Sequence, residues 1–205
     1  MQNRPSRPPL PVIYEEAPPL GPDLIPDGGA AFCLRIRDVT YLHYHSTLEL
    51  GWCVGGAGEC YAEDRIFPFS AGDVQVIFPY QRHYSRSGPA DVSRWRFVCL
   101  DLSTLLPALG FFDPSSVEEW MQQEMGLFGI FSPARCPRVH AAALRFFEEL
   151  YGEPDRPRRR ELCGASLCAL LAELSRASRD VEKLAIRRDP VLSQITPALR
   201  EIPAG

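Results

Sequence analysis

The spacing of apolar residues changes once along this chain of 205 residues, near Ser103. Between residues 30 and 102, apolar side chains alternate with polar ones, as at Phe32, Leu34 and Ile36, and turns rich in Gly and Pro separate the runs. Beyond Ser103 the apolar residues recur every three or four positions, which is the period of an amphipathic helix. Short strands followed by helices predict an α+β fold, mainly β, in which a sandwich or barrel precedes a helical segment.

Four segments follow from this division. Eight of the 20 prolines lie in the first 26 residues, and because proline has no N–H donor and a fixed φ, we predict an extended arm over residues 1–29. The arm is either a lid over the barrel or a disordered tail. The barrel spans residues 30–103, a helical segment spans 104–180, and residues 181–205 form a linker and the start of a further helix.

Three helices are predicted within the helical segment. The first follows an N-cap at Ser115-Ser116, the second runs from Pro137 to Gly152, and the third runs from about Arg159 to Ser178. The third helix carries an apolar face of five leucines: Leu162, Leu167, Leu170, Leu171 and Leu174. So much apolar surface after a completed barrel indicates a contact between two chains. The alternative is that this face packs on its own barrel.

Charge and hydropathy exclude several classes of protein. The chain has 22 Lys and Arg residues and 26 Asp and Glu residues, a formal charge of −4, so it is a poor candidate for coating nucleic acid with its whole surface. No apolar run approaches the roughly 18 residues of a membrane span, and the N-terminus lacks the apolar stretch of a signal peptide. We therefore expect a cytoplasmic protein that contacts no membrane, with its seven cysteines reduced.

Three of the four histidines share a spacing pattern with one carboxylate: His43, His45, Glu49 and His83. The first three lie in a strand-like segment over residues 41–54, which has a bend at Ser46-Thr47; a continuous strand would place all three on one face. If the barrel brings His83 beside them, the site offers three nitrogens and one oxygen. That set suits a divalent ion such as Zn²⁺, Ni²⁺ or Fe²⁺. The alternatives are a polar pocket lining without metal and unrelated core positions.

Two stretches around these residues resemble the two motifs of cupin proteins. HYHSTLELGWCVGGAGE resembles the His-x-His-x-x-x-Glu motif, and FPFSAGDVQVIFPYQRHYS resembles the second, with its Gly-Asp turn, proline and histidine. More narrowly, the sequence resembles the N-terminal sensor domain of AraC-type transcription regulators. Arg37 and Gln81 stand where cupin enzymes commonly have glycine, whereas the spacing of Pro79 and His83 is typical of the regulators.

The resemblance implies both a fold and a function. It implies a small double-stranded β-helix (cupin) barrel that binds a small effector, a helical segment that joins two chains into a homodimer, and DNA binding through helix-turn-helix units beyond Gly205. The chain would then be the ligand-sensing and dimerisation module of a bacterial transcription regulator, truncated before its DNA-binding half, and not an enzyme. The alternative is a metal-dependent cupin enzyme, an oxygenase or isomerase. The cofactor, if the site holds one, is a divalent ion, zinc or nickel.

The walls of an effector pocket would come from strand residues that face inward. The candidates are Arg35, Tyr84, Trp95 and Phe97. The pattern of the last strand leaves open whether the face with Cys99 or the face with Arg96 is the inner one. An anionic effector would need a basic partner, and the candidates for it are Arg35, Arg82, Arg94 and Arg96.

Overall fold

The computed structural model describes most of the chain between residues 10 and 188. The described residues are 10–21, 23–24, 32–34, 39–90, 92–110, 113, 117, 119, 128–177 and 187–188. Within them, eleven strands form two sheets. The strands are β1 (Val12–Tyr14), β2 (Phe32–Cys33), β3 (Leu42–Tyr44), β4 (Leu48–Gly55), β5 (Ala57–Ala62), β6 (Arg65–Ser70), β7 (Val74–Ile77), β8 (His83–Ser87), β9 (Arg94–Leu100), β10 (Gly129–Phe131) and β11 (Arg187–Arg188).

The two sheets are almost wholly antiparallel. The six-stranded sheet has the order β1-β3-β8-β5-β6-β11, and the five-stranded sheet has the order β10-β7-β4-β9-β2. Among the described strands, only the pairing of β1 with β3 is parallel. Antiparallel strands joined by short turns, such as β5 and β6 with only Glu63 and Asp64 between them, explain the alternation of short apolar runs with turns in the sequence.

Three helices have both ends within the described residues: α1 (Leu102–Ala108), α2 (Pro137–Gly152) and α3 (Arg156–Ala177). The side chain of Asp101 caps α1 by accepting a hydrogen bond from the N–H of Thr104. Pro137 begins α2, where the N–H that proline lacks would have no partner inside the helix. No helix in this described part is long and apolar enough to cross a membrane.

Helix α2 packs on the outer face of the five-stranded sheet, and α3 packs on α2. The ring of Phe147 in α2 lies 6.1 Å from the ring of Trp52 in β4. Leu50 is two positions before Trp52, hence on the same side of the strand, and it is wholly buried. Glu49 and Gly51 lie on the opposite side, toward the interior of the barrel. The predicted fold is therefore confirmed: a mainly β cupin-type barrel followed by helices.

The predicted bend at Ser46-Thr47 divides the segment 41–54 between the two sheets. β3 ends at Tyr44 in the six-stranded sheet, and β4 begins at Leu48 in the five-stranded sheet. The strand is therefore not continuous, and His43, His45 and Glu49 do not share one strand face. The chain crosses from one sheet to the other between them.

One strand lies inside the segment expected to be helical. β10 pairs with β7 at the edge of the five-stranded sheet and buries Ile130 and Phe131. Gly129 has a φ of +119°, and a Cβ there would come within 2.6 Å of the ring of Phe67, so this position requires glycine. A strand of three residues is too short for its period to be read from the sequence.

Two predicted helices fall mainly outside the described residues. Val117 and Glu119 are helical, but the proposed cap at Ser115-Ser116 is not described. The further helix expected after residue 181 also lies outside the described residues. Within that stretch, β11 pairs antiparallel with β6.

The leucine face of α3 is buried within this chain, and α3 begins at Arg156 rather than Arg159. The wholly buried leucines are Leu167, Leu170 and Leu174; Leu171 is nearly so, and Leu162 is half-buried. All of these except Leu162 belong to the same core cluster as the barrel residues. The apolar surface that suggested a contact between two chains is therefore already covered, and the alternative, packing on its own domain, describes these leucines.

The described part of the arm lies against the barrel. β1 forms the edge of the six-stranded sheet, and the N–H of Glu15 donates to the carbonyl oxygen of Tyr44 at 3.0 Å. Further on, the N–H of Leu20 donates to the carbonyl oxygen of Cys99 at 2.7 Å. Leu24 is wholly buried in the core. In this part the arm is an attached strap, not a loose tail.

Replacing Leu24 by Ala tests how firmly the arm is anchored. Because the substitution leaves a cavity in a closed core, we expect the free energy of unfolding in urea to fall by about 2–5 kcal/mol. Ile13→Ala, at an exposed arm position, is the control and should change it by less than about 0.5 kcal/mol. Equal, small effects of both substitutions would contradict an anchored arm.

Candidate metal and effector site

Two cross-strand pairs, one from each sheet, form the centre of the site. His43 in β3 lies directly opposite His83 in β8, and Glu49 in β4 lies directly opposite Cys99 in β9. Directly opposed residues place their side chains on the same face of a sheet. The ring centroids of His43 and His83 are 4.2 Å apart, and Nε2 of His83 lies 3.6 Å from Oε2 of Glu49. The two sheets thus meet at one carboxylate.

His45 joins this centre from the bend between β3 and β4, where it is 2% exposed. Its Nδ1 lies 3.0 Å from the carbonyl oxygen of Thr47; since a carbonyl only accepts, this nitrogen carries the proton. Its Nε2 then directs a lone pair at Oε2 of Glu49, 3.3 Å away. His83 repeats the arrangement, because its Nδ1 lies 2.9 Å from the carbonyl oxygen of Gln81.

A positive charge must lie between these imidazoles and the carboxylate. Two neutral rings held in this way face Glu49 lone pair against lone pair, and either a proton or a metal ion relieves that repulsion. Metal–ligand bonds of about 2.1 Å place neighbouring ligand atoms roughly 3.0–3.4 Å apart, close to the two distances from Glu49. In the described part of the chain, the buried Nδ1 of His43 and Nε2 of His83 have no hydrogen-bond partner. The donors therefore fit a divalent ion.

Burial and the neighbouring charges determine how the cluster ionises. Burial acts to raise the pKa of Glu49, but positive charge on His83 and His45 acts against it, and that pKa lies below its usual value. Burial acts to lower the pKa of His83, but Glu49 holds it above its usual value. Burial and the charge of His83 lower the pKa of His43 to about 3. The ring of His43 is therefore neutral at pH 7, as a metal ligand must be.

Hydrogen bonds from β7 and β8 hold Glu49 in place. Nε2 of Gln75, a residue 1% exposed, donates to Oε1 of Glu49 at 2.7 Å. The hydroxyl of Ser85 in turn donates to Oε1 of Gln75 at 3.1 Å. Outer hydrogen bonds of this kind fix the direction of a metal ligand. The carboxylate therefore keeps Oε2 toward the histidines.

The structure brings the four predicted residues together as two groups that share Glu49. The ligand atoms of His43, Glu49 and His83 lie within 4.8 Å of one another, and so do those of His45, Glu49 and Cys99. Burial and the charge of Glu49 raise the pKa of the Cys99 thiol to about 12. No motif in the sequence marks Cys99, since only the register of β9 against β4 places it opposite Glu49.

A cavity of about 750 Å³ opens from this cluster. A volume of this size accommodates a small organic molecule. Its walls come from both sheets, the arm and the end of α2; they include Pro19, Leu20, Tyr41, Tyr84, Phe97 and Tyr151. Because residues of the arm form one wall, a ligand in the cavity would touch the arm directly.

Two of the four predicted pocket residues, Tyr84 and Phe97, line the cavity. Trp95 is wholly buried behind Phe97, with the two rings stacked at 5.2 Å between centroids, so its assignment to the pocket wall is corrected. Gly51 lies opposite Phe97, and a Cβ there would come within 2.7 Å of that ring, so glycine makes room for it. Arg35 lies outside the described residues.

The described residues that line the cavity include two carboxylates, Glu15 and Glu49, and no Lys or Arg. Arg82 forms an ion pair elsewhere, Arg94 is exposed, and Arg96 stacks on aromatic rings. These three arginines therefore do not supply the basic partner that an anionic effector was expected to need. Among the described lining residues, only the histidines or an ion bound to them offer positive charge.

The sequence from residue 32 to residue 180 matches a family model described as the AraC-like ligand binding domain. The chain belongs to this family of AraC-like ligand-binding domains, as its motifs predict. A search of curated proteins gives no match.

Two solved structures show weak similarity. The crystal structure of the AraC-like transcriptional activator CuxR is 10% identical with a TM-score of 0.40, over 64% of this chain and 43% of that one. The Streptomyces albus HEPD with 2-hydroxyethylphosphonate and Fe(II) bound is 15% identical with a TM-score of 0.27, over 84% of this chain and 38% of that one. This chain thus spans less than half the length of either.

Proposed function

We propose that this chain is the effector-sensing module of a bacterial transcription regulator and binds a small molecule in the cavity beside Glu49. The observation that carries the proposal is the cavity itself, which combines aromatic walls, convergent polar groups and an arm wall. A ligand that contacts both the barrel and the arm stabilises one arrangement of the arm over another. That differential affinity is what effector sensing requires.

The role is sensing rather than catalysis. Membership of a ligand-binding family favours it over the alternative of a metal-dependent oxygenase or isomerase. In this proposal the chain does not contact DNA itself. Helix-turn-helix units of the regulator that are not among these 205 residues do so, and the whole protein acts in the cytoplasm, with no contact to a membrane.

The proposal includes a divalent ion, zinc or nickel, held by His43, His45, Glu49 and His83. Its support is the pair of buried nitrogens without a hydrogen-bond partner in the described part, together with the two imidazoles aimed at one carboxylate. Such an ion supplies a positive charge at the base of a cavity whose described walls contain no Lys or Arg. An effector oxygen could then be recognised there.

Zinc binding tests the metal site. We expect isothermal titration calorimetry to show about one Zn²⁺ per chain for the wild type and at least about a 100-fold loss of affinity for His83→Gln, because a ligand is lost. His140→Gln is the matched control: it changes the fourth histidine, which bonds the carbonyl oxygen of Gly72 away from the site. Wild-type binding below about a tenth of an equivalent, or equal losses in both variants, would contradict the site.

A neutral aromatic probe tests the cavity. We expect N-phenyl-1-naphthylamine to bind saturably with enhanced fluorescence, and Leu20→Trp, which fills the cavity from the arm, to weaken it at least tenfold. Ile13→Trp places the same side chain at an exposed arm position and should bind the probe like the wild type. Undiminished binding to Leu20→Trp would show that the probe lies elsewhere and would count against an effector cavity.

Pairing of two chains is also part of the proposal, but through the exposed face of α3 and not its leucines. Ala165, Ala169 and Ala172 lie along that face, with Glu161 near its beginning and Arg176 near its end. If a second copy packs antiparallel, Glu161 of one chain meets Arg176 of the other, which also pairs with Glu173 of its own chain, and the alanines let the two helices approach closely. This charge complementarity supports a homodimer with twofold symmetry.

Sedimentation velocity tests this pairing. We expect a wild-type dimer at micromolar concentration and a monomer for Ala169→Arg, since two like charges then meet at the twofold axis. Ala141→Arg, on the exposed side of α2, is the control and should remain dimeric. A wild-type monomer would refute the pairing, and so would an undisturbed dimer of Ala169→Arg.

A further inference from the structure

The strand register fixes the position of Cys99 relative to Glu49. The two residues are directly opposed in β4 and β9, and the pairs on either side, Leu48 with Leu100 and Leu50 with Val98, continue the same register. Opposed residues in an antiparallel pair have Cβ atoms roughly 4.5–5.5 Å apart on the same face. The thiol of Cys99 therefore shares the inner face of the barrel with the carboxylate.

The buried Nε2 atoms of His45 and His83 lie near the same oxygen of Glu49. The sulfur of Cys99, an oxygen of Glu49 and a ring nitrogen of His45 lie within 4.8 Å of one another. On the other side of the carboxylate, His83 is 1% exposed, and its buried Nε2 has no hydrogen-bond partner among the described residues. Cys99 is thus one more possible ligand atom beside a buried ring nitrogen that has no hydrogen-bond partner in the described part of the chain.

The cavity gives an ion access to Cys99. The residue is half-buried and lines the cavity together with His43, Glu49 and His83. An ion that enters the cavity therefore meets the sulfur and the carboxylate on the same wall. The carbonyl oxygen of Cys99 also accepts the hydrogen bond from Leu20 of the arm, so the same residue contacts both the site and the arm.

We propose that Cys99 is a thiolate ligand of the ion at Glu49 and makes the site selective for a thiophilic ion such as Zn²⁺ over Mg²⁺ or Mn²⁺. On binding, the thiol loses its proton to water, the hydrated ion releases a bound water and a metal–sulfur bond forms in its place, so that thiolate and carboxylate together balance the charge of the ion. Soft sulfur ligands favour zinc and related ions, whereas magnesium and manganese prefer oxygen. The inference rests on the metal site proposed above.

Cobalt(II) reports the ligand directly, because a thiolate bound to Co²⁺ gives sulfur-to-metal charge-transfer absorption in the near ultraviolet, apart from the visible d–d bands. We expect both features when Co²⁺ is added to the full chain. Cys99→Ser should lose the near-ultraviolet absorption, keep visible bands and bind Zn²⁺ at least about tenfold more weakly. Cys99→Ala, with folding checked by circular dichroism, should behave in the same way.

Cys136→Ser is the matched control, since Cys136 is also half-buried but precedes α2, outside the site. It should keep the charge-transfer absorption. Visible bands in the wild type without that absorption, or absorption that survives in Cys99→Ser, would overturn the role of Cys99 while leaving the metal site standing. A wild type that binds neither Co²⁺ nor Zn²⁺ would overturn both. Mg²⁺ or Mn²⁺ displacing bound Zn²⁺ at comparable concentrations would refute the selectivity.

Discussion

A carboxylate held inside the barrel is the constraint on which the rest of this structure depends. Glu49 cannot lie there uncompensated, because an isolated buried charge is strongly destabilising. The chain surrounds it with Gln75 on one oxygen and with two imidazoles on the other, each imidazole fixed by a backbone carbonyl. That arrangement leaves nitrogen lone pairs directed at the carboxylate and so creates a place for a cation.

The cluster also connects the parts of the fold that a sensor must couple. His43 and His83 belong to the six-stranded sheet, whose edge strand β1 is part of the arm. Glu49 and Cys99 belong to the five-stranded sheet, whose outer face carries α2, and α3 packs on α2. A ligand or ion at the meeting point of the two sheets therefore contacts strands that lead to the arm on one side and to the helices on the other. In the proposed function, this is the route by which an effector changes the regulator.

The sequence predicts the site better than it predicts the surroundings of the site. Spacing alone selects Glu49 and the three histidines that surround it. The bend at Ser46-Thr47 interrupts the strand, but it moves the chain to the facing sheet without turning these side chains away. Cys99 escapes prediction because register is a tertiary property. Trp95 and the leucines of α3 are misassigned for one common reason: an apolar face in sequence shows that a surface is covered, and not what covers it.

Anomalous diffraction at the zinc absorption edge, from crystals of the full chain grown with Zn²⁺, tests the central claim most directly. We expect one strong peak beside Oε2 of Glu49, about 2.0–2.1 Å from histidine nitrogens and about 2.3 Å from the sulfur of Cys99. A cluster without a peak, in crystals that show zinc only on the protein surface, would contradict it. In that case a protonated imidazole, and no metal ion, balances the buried carboxylate.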